Sequence, residues 1–583
     1  MTLAPATPAT ASELDADIAA LHEGARAWRH LTLSQRAKLL ERVRAAVVTV
    51  AAEWADVANT SKDLEPGHPL GGEEWLGGPY AVLVALDAYA ATLRALAAGK
   101  SPLDGVSTDA VPGSRLRARV YPTSIADRLL LAGYTAEVWF SPGVTLEQAR
   151  REAGLGQLHP SQQAHVGVVL GAGNVTAIPV LDVLYELLAY NRVSILKLNP
   201  TQDALAPVFA RALAPLIEPR FLRIVQGAGV VGAYLTQHPD IAHVHITGSI
   251  DTFNAIVRGA AGSHDPSTSS GTEAAVVAKP ITAELGGVSP ILIVPGEWSD
   301  ADLRYQAEHV ATMRLVNSGH NCIAAQIVVL SADWPQREEF VEALRAAYAE
   351  VPRRPVWYPR SNDRIKSVAS AYPHAQWSAG RTRALVELGP GDDGALLERT
   401  ELFAPVLGVV TLRGTGQEFL DAAVAYANDE LMGTLGANVL IDPTTQKALG
   451  DAFERAIADL RYGAIAINTW TAFNFLCPTA TWGAFPGGTV GDVGSGIGVV
   501  HNALLLDRVE RSVARGPFRP FPRSAVPSIR GGRLRLPRLV ALPKPPWFAT
   551  SRTGAAVSEG FTRFRMDGNW RGLVRTFAAA FRA

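Results

Sequence analysis

Two cysteines stand in 583 residues, too few for a disulfide framework beyond one bridge, so each must be read for chemistry or for packing. Cys322 is the one placed for chemistry. It lies in HVATMRLVNSGHNCIAAQIVVL, residues 309–330. An apolar helical pattern through Val310, Met313 and Leu315 breaks at Asn317-Ser318-Gly319-His320-Asn321, and the β-branched run Ile327 to Leu330 follows. This predicts a thiol at a helix-to-strand turn, where a substrate can reach it; in mid-run it would be buried and inert. A thiol nucleophile needs partners, and two segments offer them. Glu284, in Ala283-Glu284-Leu285-Gly286-Gly287, is a carboxylate at a strand end followed by two glycines that let backbone approach closely. Asn174, in Gly171-Ala172-Gly173-Asn174-Val175, offers an amide where another strand ends. The plainer reading makes Cys322 a small buried hydrophobe, Glu284 a solvated loop carboxylate and Asn174 a turn former. Cys477 reads as a packing residue.

The elements that must position these groups show in the patterning. From His165 the chain alternates apolar run, turn and helix: His165 to Leu170, a helix from about Pro179 to Tyr190, Val193 to Leu198, a helix from about Thr201 to Ile217, and Phe221 to Val225. Such alternation predicts a parallel sheet with helices on its faces. Asn199-Pro200 is a helix start, an Asn cap with Pro at the first helical position. The run Ile241 to Ile246 ends in Thr247-Gly248-Ser249 and opens a helix whose free N–H groups suit a pyrophosphate, although a plain turn reads equally well. Ahead of this region lies a helical layer, with a capping-box spacing at Thr32 and Gln35. Leu116 to Tyr121 and Ala136 to Phe140 are β-type runs, and Gly262 to Gly271 reads as a surface insertion.

Taken in order, GAGN, LKLNP, TGS, ELGG, GHNC, ELF and the segment from NTW to WGAFPGG resemble the aldehyde dehydrogenase superfamily over roughly residues 30 to 505. The resemblance implies an α/β fold. A Rossmann-like nicotinamide-binding domain would span residues 12–115 and 151–285, an α/β catalytic domain 286–475, and a small β oligomerisation element 116–150 and 476–505. Residues 1–11 would be a disordered arm and 506–583 a basic amphipathic C-terminal extension. It further implies that Cys322 is the nucleophile, Asn174 with the backbone N–H of Cys322 the oxyanion hole, and Glu284 the general base. Gly248 and Ser249 would face the pyrophosphate, Glu401 and Phe403 would hold the nicotinamide ribose, and Lys197 would meet the adenosine ribose. Trp470, Phe473, Phe475 and Trp482 lie where the family lines its substrate mouth, and aromatic walls suit an apolar aldehyde. Two departures bear on the cofactor. Pro200 stands where the family commonly has a carboxylate for the ribose 2'-hydroxyl, and Phe253 replaces a glycine, so NADP joins NAD as a cofactor, with NAD first by family precedent. Retention of Glu284 favours hydrolysis over CoA acylation. The alternatives are a CoA-acylating relative and a nucleotide-binding scaffold at a membrane surface.

His320 sits two residues from Cys322, yet neighbours on an extended turn need not meet. His243 and His245 share one strand face without a third ligand nearby, so no metal is expected. Composition, 48% hydrophobic and 19% charged with a net charge of -1, is that of a soluble globular enzyme, with no signal peptide and no apolar run approaching a membrane span. A cytoplasmic homo-dimer or tetramer is the expectation. From His501 onward, about sixteen Arg and Lys face about four Asp and Glu. In that tail Trp570, Leu573, Val574, Phe577 and Phe581 fall at helical spacing, which fits an anionic membrane surface or packing on the protein itself. Nucleic acid is not expected, since no recognition motif accompanies the charge. Truncation near Leu506 is expected to spare catalysis.

Overall fold

A computed structural model describes residues 9–258, 279–525, 528–530, 533–535 and 542–583. The expected insertion at Gly262 to Gly271, and all of the expected N-terminal arm but Ala9 to Ala11, lie outside the described residues. The helix Ala11–Trp28 begins on a capping box between Thr10 and Glu13. A second helix, Leu33–Ser61, begins on the Thr32–Gln35 box and buries Leu39, Leu40, Val43, Val47 and Trp54 along one stripe. Contrary to the expectation that no apolar run approaches a membrane span, the run Pro69–Ala97 is long and apolar enough, by composition alone, to cross one. Its buried residues Leu76, Tyr80, Leu83 and Leu86 belong to the protein core, which accounts for the apolarity.

Two sheets carry the site. In the first, the parallel strands Leu222–Val225, Arg192–Lys197, His165–Leu170, His243–Gly248 and Ile281–Leu285 lie side by side, and the antiparallel pair Gly496–Ile497 closes the edge. Both faces are covered, so the strands are continuous apolar runs such as Val166 to Leu170. The second sheet has eleven strands. Its parallel centre runs Val509–Arg515, Ala464–Ile467, Gly436–Leu440, Ile291–Ile293, Ile327–Ser331, Val406–Leu412 and Arg383–Glu387.

One flank of this sheet is an antiparallel meander of Thr108–Val111, Arg115–Tyr121 and Thr135–Phe140. It joins the parallel centre only through Val509–Arg515, which pairs with Thr135–Phe140 on one side and Ala464–Ile467 on the other. Two expected boundaries therefore change. The meander opens at Thr108 rather than residue 116, and its partner is Val509–Arg515 rather than the segment 476–505. Gly496–Ile497 of that segment instead pairs with the strand bearing Glu284. Val509–Arg515 was concealed by its charges, which the fold satisfies internally: Glu510 accepts from Arg115 at 2.6 Å, and Arg511 donates to the carbonyls of Ile457 and Leu460.

The C-terminal extension ends in two helices, Gly554–Asp567 and Trp570–Ala580. Its apolar stripe divides. Leu573 is buried and Phe577 packs against the core, whereas Trp570, Val574 and Phe581 face solvent.

Candidate active site

Cys322 follows the helix Asp300–Leu315, whose N-terminus is closed by a capping box between Ser299 and Asp302. The chain then reverses through three consecutive residues of positive φ, Asn317 (54°), Ser318 (54°) and Gly319 (74°). Asn tolerates this region through its short polar side chain. Gly319 is needed for space as well, because a Cβ there would lie 2.8 Å from the carbonyl oxygen of Ala404. Cys322 is half-buried, ahead of the buried strand Ile327–Ser331.

The Asn317 side chain ties this turn to the strand end bearing Asn174. Its Nδ2 donates to the carbonyls of Asn174 (3.0 Å) and His320 (3.1 Å), while Asn174 Nδ2 donates to the His320 carbonyl at 3.0 Å. Lys62 Nζ, buried, donates to the same Asn174 carbonyl at 2.8 Å and to Glu74 Oε1 at 2.7 Å. Arg354 pairs with Glu73 and reaches Asn317 Oδ1 at 3.1 Å. Two acids and two bases thus neutralise each other behind Asn174. Lys62, Glu73, Glu74, Asn317 and Arg354 were not found by sequence reasoning, because charges near helix ends read as solvated. The His320 ring turns away from the chemistry: its Nε2 faces Ser361 Oγ at 3.1 Å, and its plane packs among Trp357, Tyr358 and Phe403.

Glu284 lies at the end of its strand, buried, opposite Thr247 in register. Burial pushes its carboxyl up to about 7, against the pull of hydrogen bonding to Cys322. Burial, and then the Glu284 charge, raise the Cys322 thiol well above its ordinary value. Glu401 is pushed up to about 8, first by burial and then by Glu284. It packs so closely on Gly286 that a Cβ there would meet its carboxylate at 1.7 Å. Glu284 Oε1 and Glu401 Oε1 are both buried without a hydrogen-bond partner among the described residues.

Behind Glu284, on the same sheet face, lies a buried polar cluster. Thr282 Oγ1 bridges His243 and His245 at 2.9 Å each. Asp182 accepts from Thr247 and pairs with His501, each at 3.0 Å. Although burial opposes it, His245 and His501 hold Asp182 down to about 2. These histidines are buried core groups, although His243 and His501 each keep an Nδ1 without a partner among the described residues.

Two cavities meet at the thiol. The larger, about 670 Å³, is lined by Asn174, Gly248, Ser249, Glu284, Glu401 and Phe403, together with Arg360, Arg364 and Arg399. A smaller apolar one, about 110 Å³, is lined by Trp470, Phe475, Trp482, Ile178, Val316 and Trp547. Cys322 is the one described residue that lines both. Two expected residues stand elsewhere. Lys197 is buried at its strand end, outside the lining of the larger cavity, with Asp203 nearby. Phe473 packs against Tyr121 and Tyr134, at centroid distances of 5.3 and 5.2 Å. It belongs to the five-residue helix Ala472–Leu476, which turns Phe473 and Phe475 to different sides. Phe253 is fully buried, filling core space rather than crowding the Gly248 turn. Trp547 and the three arginines went unrecognised, Trp547 because it is isolated in a Pro-rich run.

Cys322 thus lies between a polar and an apolar cavity, on a chain built around two α/β sheets. Residues 167–357 match the profile of the Aldehyde dehydrogenase family. Solved structures sharing the fold include gamma-glutamyl-gamma-aminobutyraldehyde dehydrogenase from Burkholderia cenocepacia J2315. It is 20% identical with a TM-score of 0.56, covering 87% of this chain and 89% of that one. An NAD-dependent aldehyde dehydrogenase from Sinorhizobium meliloti is 18% identical, TM-score 0.56, covering 87% of each chain. Aldehyde dehydrogenase C from Pseudomonas syringae, solved as a mutant with NAD+ and octanal, is 17% identical, TM-score 0.55, covering 88% of this chain and 90% of that one. The chain thus carries a segment that matches the Aldehyde dehydrogenase family profile and shares its fold with these enzymes.

Proposed function

We propose that the protein oxidises an apolar aldehyde to its carboxylic acid with NAD or NADP, through a covalent adduct on Cys322. The position of Cys322 as the one described residue common to both cavities carries this reading. The larger cavity suits a dinucleotide: Gly248 and Ser249 at a helix start and Arg360, Arg364 and Arg399 suit its phosphates, and Glu401, with a buried orphan oxygen, suits a ribose hydroxyl. Bound there, the nicotinamide supplies the hydride acceptor. Pro200 removes one discriminator against a 2'-phosphate; the Sinorhizobium and Pseudomonas relatives are described with NAD, which keeps NAD first.

The chain's own groups divide the remaining work. Glu284 takes the thiol proton, and the Cys322 sulfur attacks the carbonyl carbon. The backbone N–H of Cys322 and the Asn174 amide stabilise the oxyanion. Loss of a hydride from the adduct would leave a thioester; Glu284, having released the thiol proton to solvent, then takes a proton from water, whose oxygen attacks the carbonyl carbon, and cleavage of the C–S bond releases the acid and regenerates the Cys322 sulfur. The apolar walls hold the rest of the substrate.

Reduction of NAD and of NADP, followed by absorbance with short, long-chain and aromatic aldehydes, tests this. Turnover without CoA that Cys322→Ala abolishes is expected. Turnover that requires CoA would replace hydrolysis with acyl transfer, and none under any condition would favour a nucleotide-binding scaffold.

A further inference from the structure

We propose that the C-terminal extension is a working wall of the aldehyde pocket, with Trp547 as a specificity-determining residue. The proposal rests on the reading of Cys322 given above and adds a part from a segment beyond the family-like motifs.

The path of the extension carries the argument. After Val509–Arg515 the chain follows the helix Asp300–Leu315, which leads into the nucleophile, along most of its length. Arg519 and Arg523 both pair with Asp302, at 2.8 and 2.6 Å. Gln306 donates to the Phe518 carbonyl at 2.6 Å. Further along, Lys544 pairs with Glu308 at 2.5 Å, and Phe548 stacks on Tyr305 and His309 at 5.1 and 5.0 Å. The Ala549 N–H donates to Thr312 Oγ1 at 3.0 Å. These contacts deliver Pro546 and Trp547 into the apolar cavity that holds Cys322.

Trp547 is 8% exposed, its ring 5.6 Å from Tyr134. Its indole N–H has no hydrogen-bond partner among the described residues. Buried indoles usually find one, and leaving it unpaired costs free energy that phenylalanine would avoid. Packing alone therefore does not account for the choice of residue. Elsewhere the cavity offers aliphatic and aromatic walls, and its charges, Lys62, Glu73 and Glu74, are engaged with each other or with Arg354. Size and shape are thus what this pocket can discriminate, and Trp547 is the bulkiest group the extension brings to it.

The test compares full-length wild type with Trp547→Ala and Trp547→Phe by two readouts. The first is the rate of alkylation of Cys322 by iodoacetamide and by a bulky N-aryl maleimide, with Cys322→Ala defining the background from buried Cys477. The second is kcat/KM across a homologous series of straight-chain and branched aldehydes. In Trp547→Ala the bulky-to-small ratio is expected to rise about tenfold or more in both readouts, with Trp547→Phe between it and wild type, in line with the cost of filling apolar pockets. Ratios unchanged within twofold in folded variants overturn the proposal. If Trp547→Ala does not fold, Trp547→Phe decides by the same ratio. Alkylation that shifts as expected in a protein turning over no aldehyde would overturn the aldehyde reading and leave the wall standing.

Discussion

Glu284 and Glu401 are carboxyls raised to about 7 and about 8 within one cavity, Glu284 buried and Glu401 half-buried with the Glu284 charge against it. A base must be ionised to act, so the hydrolytic step is expected to rise with pH through a midpoint near 7. Glu284→Gln should abolish that rise and slow the step about 100-fold or more, as measured by single-turnover release of acid. The same shifts oppose stability. Between the ordinary value of 4.5 and the raised one, the native state holds a proton that the unfolded chain has released, so stability falls as pH rises through this window. Glu401→Gln should therefore stabilise the protein by roughly 1–3 kcal/mol at pH 8 and have little effect at pH 4, which thermal unfolding at the two pH values will check. Equal effects at both would show that Glu401 is not held protonated. At this scale the sequence was legible where a reactive side chain sits at a break in pattern, as Cys322, Glu284 and Asn174 do. It was illegible where burial decides: Lys62 and Arg354 are ordinary surface letters until the fold closes over them.

Among the elements, the helix Gly554–Asp567 is seated by backbone contact. A Cβ on Gly72 would lie 2.6 Å from Ala555 Cα, so only glycine lets the two helices meet. Gly72→Val is expected to lower stability by about 2 kcal/mol. It should also raise the reactivity of Cys322 toward a bulky maleimide, because the neighbouring Leu76 and the extension line one cavity; thermal unfolding and alkylation rates measure both. Unaltered values would mean that the extension is not held at Gly72. The basic character of the extension takes on a structural meaning here. Arg519 and Arg523 serve Asp302, Arg565 serves Asp127, and Arg563 lies over Trp75. Charge count alone could not distinguish these internal partners from an anionic membrane, since the partners lie more than two hundred residues away in the chain.

For the whole molecule, Val509–Arg515 is the strand that makes one sheet of two parts. The expectation that truncation near Leu506 spares catalysis is therefore replaced. Removing everything after Leu506 exposes the edges of both parts and is expected to give insoluble or molten protein without turnover, checked by soluble yield and a thermal transition. A soluble fragment with wild-type melting would refute the role of this strand. The α/β alternation from His165 was readable because parallel strands covered on both faces are apolar throughout. This strand was not, because Glu510, Arg511 and Ser512 are buried by partners the sequence places far away.

That placement has a consequence for synthesis on the ribosome. The edge strand Thr135–Phe140 emerges more than three hundred residues before the strand that covers it, an interval of roughly 20–70 s at ordinary elongation rates. Throughout that wait its backbone N–H and C=O groups are open to any passing strand, including the same strand on a neighbouring nascent chain. Yield of the native protein thus depends on the rate at which the message is read between the two, and slow codons in that interval lengthen the time in which polysome-borne chains can pair with one another.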